Sequence, residues 1–158
     1  MKYIMLTNGN RAIIDDLDYD LVQGRTWMEG KSFVYAKDYL GKIGGKYKWR
    51  TVLLHRLIMN PPSKKVVDHI NGDILDNRRD NLRVCLDKQN VRNAKLATTN
   101  TSGYKGVSWS RQRRKWVATI YHTKSINLGG FDTKEKAALA YDRAAKLLFG
   151  KYARTNFK

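Results

Sequence analysis

An aspartate followed directly by a histidine, Asp68-His69, opens a segment over 68–90 that reads DHINGDILDNRRDNLRVCLDKQN. It holds five Asp and four Asn and almost nothing that packs. Such a stretch is costly as structure, because Asn and Asp favour turns over helix and strand interiors. As chemistry it is richer. The carboxylate of Asp68 and the amide oxygen of Asn90 are hard oxygen donors of the kind that suits Mg²⁺, which keeps several waters and takes further ligands from substrate phosphate. A neutral imidazole at His69, with an unperturbed pKa near ~6.5, can take a proton from water. Metal plus base is the equipment of phosphodiester hydrolysis: the metal supports the phosphoryl and leaving oxygens, and the base makes the nucleophile. The same residue types also build an ordinary polar turn, and an Asp-His pair alone does not separate the two.

The elements around these residues decide whether they can meet. Val66-Val67-Asp68-His69 predicts a strand that delivers its last two side chains to a turn at Asn71-Gly72. Leu82-Arg83-Val84-Cys85 predicts the returning strand, and Asp87 to Lys95 a helix with Asn90 near its start. A strand, loop, strand and helix in this order bring a carboxylate, an imidazole and a helix-borne amide to one short gap. Asn77 is assigned to the loop, and Asp73, Asp76 and Asp80 to turns. Arg83 is expected to face solvent and His55 to pack or hydrogen-bond. Before this segment, YIMLTNG and RAIID predict a hairpin around Asn8-Gly9, and LDYDLVQGRTW a short helix. SFVYAKDYL and KWRTVLLHRLIM read as two strands leading into a second short helix, with a tight turn at GGKYK.

Composition narrows the class. The 158 residues suffice for one domain or two small ones, and a hydrophobic fraction of 42% is ordinary for a folded chain. No apolar run approaches the ~20 residues of a membrane span, and the start, MKYIMLTNGNR, lacks the apolar stretch of a signal peptide. The single cysteine, Cys85, excludes an intramolecular disulfide and a Cys-rich zinc knuckle, and fits a reducing, cytoplasmic setting. Lys and Arg number 31 against 14 acids, a net charge of +17 that calls for a polyanionic partner. Residues 1–60 hold ten bases and six acids, 61–98 eight and five, and 99–158 thirteen and three. The acids lie in the first two parts and the last third is nearly all base, which separates a chemical part from a binding part.

The spacing within the acidic segment adds a family. VDHINGD…DNRRDNLRV, with HRLI (His55–Ile58) upstream, resembles the HNH nuclease motif in its phage and homing-endonuclease branch. His69 matches the first motif His, Asn81 the central Asn twelve residues on, and Asn90 the final position nine further, where many members carry His. The resemblance implies a ββα-metal fold with Asp68 and Asn90 as metal ligands and His69 as general base. It further implies that Asn81 pins the loop and positions the base, and that the cofactor is Mg²⁺ or another divalent cation such as Mn²⁺. The paired CxxC elements of the zinc-stapled branch are absent. Packing must hold this domain instead, with Trp27, Trp49 and the N-terminal strands as expected contributors.

After the polar stretch LATTNTSG (Leu96 to Gly103), which reads as a linker, the pattern changes. YKGVSW, KWVATIY and KSINLGGF predict a three-stranded antiparallel meander, with the basic loop SRQRRK joining the first two strands. DTKEKAALAYDRAAKLLFG predicts an amphipathic helix, opened by Asp132 with Glu135 at capping-box spacing and closed by Gly150. Ala138, Tyr141, Ala145 and Leu148 mark its inner face. From Tyr104-Lys105-Gly106-Val107 through Lys115-Trp116-Val117-Ala118, Ala140-Tyr141-Asp142 and Asn156-Phe157, this part resembles the plant ethylene-response-factor (APETALA-type) DNA-binding domain. The resemblance implies a sheet laid in the major groove, with Lys105, Arg111, Arg113, Thr119, Tyr121 and Lys124 as candidate DNA contacts and Arg114 beside them. Ser108, Tyr121 and Asn127 stand where the family carries base-reading Arg, Arg and Trp, so the sequence preference does not transfer.

The expectation is an α+β chain with a nuclease domain at 1–96, a linker at 97–103 and a DNA-binding domain at 104–158. It would act as a metal-dependent endonuclease on double-stranded DNA, as a monomer that nicks or a dimer that cuts both strands, in the cytoplasm of a bacterial or phage-infected cell. The rivals are a DNA-binding regulator with a decayed nuclease, and an RNA-directed protein. Intact Asp68, His69, Asn81 and Asn90 oppose the first. A major-groove sheet opposes the second, because the RNA major groove is too narrow to read.

Overall fold

A computed structural model of the chain describes residues 1–93, 96 and 98–157. The chain forms two compact units, Met1–Asn90 and Val91–Lys158. The expected continuation of the helix through 94 and 95, and residue 97 of the expected linker, lie outside the described residues.

The first unit begins with the hairpin that Asn8-Gly9 dictates. Gly9 takes φ +86°, where a side chain would be strained, and β1 (Lys2–Met5) and β2 (Arg11–Ile14) pair antiparallel around it. One helical turn follows, α1 (Tyr19–Val22), with Val22 buried. β3 (Met28–Glu29), β4 (Val34–Ile43) and β5 (Lys46–Leu53) then form an antiparallel sheet in that order. Gly44 and Gly45, at φ +59° and +77°, make the tight turn between β4 and β5. α2 (Leu54–Met59) leaves β5 without a loop and stops at Asn60 in the left-handed region. β6 (Val66–His69) and β7 (Leu82–Cys85) pair antiparallel, and α3 (Asp87–Arg92) follows.

One hydrophobic cluster joins these elements. Ile4, Ala12 and Ile14 of the first hairpin pack with Val22, Trp27, Val34, Ala36, Leu54, Ile58, Val67 and Leu82. Trp27 is buried with its indole N–H donated to the Val22 carbonyl at 2.9 Å. Trp49 is not part of that core: it is 56% exposed, on the half of β5 that runs beyond the packed elements. β2 also braces the acidic loop, because Ile13 N–H bonds the Leu75 carbonyl and Asn77 N–H bonds the Ile13 carbonyl, both at 2.8 Å.

In the second unit β8 (Val107–Ser110), β9 (Lys115–Tyr121) and β10 (Ser125–Phe131) form the expected meander, with β9 central. α4 (Lys134–Phe149) packs on it through Ala137, Ala138, Tyr141 and Ala145. Small side chains let the helix lie close. A Cβ at Gly106 would stand 2.1 Å from the Tyr141 ring, and Gly106 also has φ +73°, so only glycine fits. That bend starts the first strand at Val107 rather than Tyr104. The helix cap is Thr133, whose hydroxyl accepts the Lys136 N–H at 3.2 Å, while Asp132 pairs with Lys115 instead. Phe149 is buried where Leu148 was expected, and Leu148 is exposed. Asp142, itself buried, accepts the Asn156 and Phe157 N–H groups at 2.7 and 2.9 Å and so ties down the chain after α4.

Candidate active site

The register of the β6–β7 hairpin decides the first contact. Asp68 lies directly opposite Arg83 and His69 opposite Leu82. Cross-strand neighbours share a face, and Arg83 donates to Asp68 Oδ2 from Nε at 2.9 Å and from Nη2 at 2.6 Å. Both side chains are largely buried, so Arg83 is not the solvent-exposed residue expected from the sequence. The physical reason is its paired position, where the guanidinium can compensate a carboxylate that burial would otherwise penalise.

His69 is buried at the strand end. Its Nε2 lies 3.2 Å from Asn77 Oδ1. Asn77 is fully buried, and its Nδ2 donates to the Ile74 carbonyl at 2.8 Å, which fixes the orientation of the amide. An amide oxygen only accepts, so Nε2 of His69 carries the proton and Nδ1 keeps the lone pair. Burial pushes the His69 pKa below its ordinary value, against the hydrogen bond to Asn77 and the charges of Asp68, Asp73 and Asp76, which favour protonation. The ring is therefore neutral at neutral pH.

Asn81 closes the loop on itself. Its Oδ1 accepts the Asn71 N–H at 3.0 Å, and its Nδ2 donates to Asn71 Oδ1 and to the Asp76 carbonyl at 3.0 and 2.7 Å. Asp76 is held by Arg78 through two bonds of 2.7 and 2.6 Å, and Asp73 Oδ1 caps a turn at Leu75. Arg79 reaches the buried Asp18 with Nη2 at 2.7 Å, fastening the far end of the loop to the N-terminal part. Asn90 is half-buried on α3, one residue beyond the turn that Gln89 Oε1 caps by accepting the Leu86 N–H at 2.8 Å.

The partners of two residues escaped the sequence reading. Asn77, assigned only to the loop, holds the histidine. His55, on α2, packs edge-on against His69, with ring centroids 5.3 Å apart at 62°. Among the described residues the buried His55 Nδ1 finds no hydrogen-bond partner, and burial, reinforced by His69 and Arg56, lowers its pKa to about 4. The strand register alone would have revealed the Asp68–Arg83 pair. Nothing local signals His55.

As a divalent-metal site the donors are few. Among the described residues no group of three or more His, Cys, Asp and Glu stands ready to hold an ion. A carboxylate at Asp68 and an amide at Asn90 nevertheless fit a hard cation that keeps waters and borrows phosphate oxygens. One arginine fork does not exhaust a carboxylate with about four lone-pair directions.

In the second unit β9 alternates, with Ala118 and Ile120 buried under α4 and Thr119 and Tyr121 on the other face. Thr119 pairs with Asn127 and Tyr121 with Ser125, so these four share the open face. Tyr121 is 71% exposed. Arg111, Arg113 and Arg114 are exposed in the β8–β9 loop, Arg114 in the left-handed region, and Lys124 is exposed in the next turn. Lys105 differs: it is half-buried, and burial, then Arg154, lowers its pKa. Thr119 and Tyr121 share the open sheet face, the exposed arginines and Lys124 lie in the turns at the two ends of β9, and Lys105 is set apart as a partly enclosed cation.

A buried hairpin bearing Asp, His and Asn, joined to a basic sheet-on-helix unit, defines a nucleic-acid-directed two-part protein. The profile of the family described as HNH endonuclease matches residues 52–92, and that described as AP2 domain matches residues 102–151. Protein 3.8 of Escherichia phage T7 is 40% identical over 94 residues, 59% of this chain and 77% of that protein. The uncharacterized HNH endonuclease L560 of Acanthamoeba polyphaga mimivirus is 33% identical over 128 residues, 76% of this chain and 66% of that one. The ethylene-responsive transcription factor ERF069 of Arabidopsis thaliana is 38% identical over 100 residues, 58% of this chain and 59% of its own length. The chain carries an HNH endonuclease domain in its first part and an AP2 domain in its second unit.

Proposed function

We propose that the chain is a metal-dependent DNA endonuclease whose cutting is directed by its AP2 domain. The observation that carries this reading is the buried, neutral His69, oriented by Asn77 and flanked by a charge-paired Asp68. In a ββα-metal arrangement built from β6, β7 and α3, Asp68 and Asn90 hold the cation, and Nδ1 of His69 takes the proton of the attacking water. The cation, when bound, stabilises charge on the phosphoryl and leaving oxygens. Asn81 holds the loop that presents the base. Arg83 pairs with Asp68 and adds positive charge where a phosphate would enter.

The second unit supplies the address. Thr119 and Tyr121 read base edges from the open sheet face, while Arg111, Arg113, Arg114 and Lys124 grip phosphates. Lys105 supports that face from its edge. With the nuclease within residues 1–96, the reader at 104–158 and a join at 97–103, the tether raises the concentration of the nuclease beside a bound site. A monomer with one active site nicks, and cutting both strands requires two copies.

The test is incubation with supercoiled plasmid and Mg²⁺, with and without chelator. Conversion to open circles, with linear product only at higher protein concentration, is the expected result. Cleavage at an undiminished rate in EDTA overturns the metal assignment, and no conversion under any divalent cation overturns the activity.

A further inference from the structure

The β4–β5 hairpin outgrows its own core. Its first half is packed, with Val34 and Ala36 buried, but from Tyr39 to Trp49 nearly every side chain faces solvent. At ~3.3 Å per residue this distal half projects roughly 15 Å past the packed elements. Gly41, at φ +100°, forms a bulge in β4 and twists it.

The two faces of the projection differ. Tyr39 pairs with Trp49 and Lys42 with Tyr47, which puts all four on one face. The Tyr39 and Trp49 rings lie 4.9 Å apart, the Tyr39 and Tyr47 rings 6.2 Å, and the Lys42 ammonium sits 5.6 Å from the Tyr47 ring centre. These aromatics are 51%, 56% and 68% exposed for Tyr39, Trp49 and Tyr47. Lys46, Lys48 and Arg50 occupy the opposite face at alternate positions, with Arg50 bonded to Asp38 at 2.9 Å. At the root of the ribbon an open cleft of about 420 Å³ is lined by Arg25, Arg50 and Arg56 among others.

Charge identifies the partner. Residues 1–60 carry ten bases and six acids, and β4–β5 holds five of the bases and one of the acids. The rest of that stretch is neutral, so its whole positive excess sits on this one ribbon. Surfaces that bind a second protein copy are depleted of lysine, whereas lysines interleaved with exposed aromatics suit a nucleic acid. A two-stranded ribbon is also an element that B-DNA's major groove, about 12 Å wide, admits.

We propose that the distal β4–β5 hairpin is a second DNA-binding element, inserted into a groove of the duplex, with Lys46 and Lys48 on phosphates and Tyr39, Tyr47 and Trp49 against sugars and bases. It rests on the reading of the first unit as DNA-directed and supplies that unit with a grip of its own, independent of the AP2 domain.

The test uses the full chain carrying His69→Ala, so that binding is measured without cutting, and a labelled 40-base-pair random duplex titrated across a salt series. Lys46→Ala with Lys48→Ala should lower the slope of log affinity against log salt by about 2, two phosphate contacts at ~0.9 each. Tyr39→Ala with Trp49→Ala should weaken binding about tenfold at unchanged slope, since neither side chain is charged. All four positions are exposed, and a folding defect in one pair leaves the other pair decisive. Affinities and slopes equal to those of the parent in both variants overturn the inference. So does a DNA-free dimer by sedimentation that Trp49→Ala dissociates, which would make a second copy the occupant. The wild-type chain failing to cut plasmid while the slope still falls would refute the nuclease reading alone.

Discussion

Replacing Asn77 by alanine removes a side chain that links His69 to the loop backbone. Two bonds go: Nδ2 to the Ile74 carbonyl at 2.8 Å and Oδ1 to His69 Nε2 at 3.2 Å. Asn77 has no solvent exposure and His69 little, so water does not simply replace the lost partners. A buried polar group left unpaired costs about 1–3 kcal/mol, so the two together predict about 2–6 kcal/mol of lost stability in the first unit. The activity should fall further than that. Loss of the Asn77 oxygen removes an acceptor that holds the proton on Nε2, which favours tautomers or rotamers that cannot accept from water. General bases contribute about 10²–10⁴-fold, so kcat per folded molecule should drop by at least ~100-fold. The assay is single-turnover plasmid cleavage, normalised to the folded fraction from urea denaturation. Val22→Ala, a fully buried truncation in the same core, supplies the control: similar destabilisation with unchanged kcat per folded molecule. An Asn77→Ala protein that cuts within a few-fold of wild type refutes the assignment of this residue as the one that positions the base.

Three further outcomes follow from the same geometry. His55, with its pKa lowered from the ordinary 6.5 to about 4, stays neutral in the fold and would protonate in the unfolded chain; its contribution is therefore present above pH ~6.5 and lost as pH falls toward 4. Urea denaturation should show about 2 kcal/mol lost between pH 7.5 and 5, and His55→Leu should flatten that slope; an unchanged slope in the variant contradicts it. Gly106→Ala should unfold the second unit or destabilise it by about 3–5 kcal/mol, because the added Cβ meets the Tyr141 ring in a left-handed backbone; a melting temperature within a few degrees of wild type contradicts it. Thr119→Ala and Tyr121→Ala should change which sites are cut, at about 1–3 kcal/mol for the preferred base pair, with little change in random-DNA affinity; sequencing the cleavage sites decides it.

Much of this architecture is legible in the residues because local signals agree with the global fold. Asn8-Gly9, Gly44-Gly45 and the alternation of VVDH and LRVC each have one good structural answer, and the hairpins form there. The meander and helix of the second unit follow from period-two and period-three-to-four apolar spacing. The errors fall where two adjacent residues offer the same chemistry. Asp132 and Thr133 both cap helices, and only the position of Lys115 across the sheet draws Asp132 away. Leu148 and Phe149 differ by 100° around the helix, and the larger ring takes the buried side. Trp49 belongs by composition to a core, but its place is set by how far the ribbon extends, which residue type does not encode. In the candidate site, Asp68, His69 and Asn81 stand out by spacing. Asn77 does not, because four asparagines in one segment look alike until the backbone at Ile74 and Ile13 selects the one that is buried. His55 meets His69 only through packing of α2 on β6, a contact between separate elements.

In the proposed mechanism His69 acts in the chemical step and not in DNA binding. The measurement is plasmid nicking and duplex affinity, made side by side on wild type and His69→Ala with Mg²⁺ present. Nicking should fall by about 10²-fold or more in His69→Ala, with affinity for DNA within about twofold of wild type. Nicking at the wild-type rate, or a loss of nicking matched by an equal loss of affinity, would contradict it.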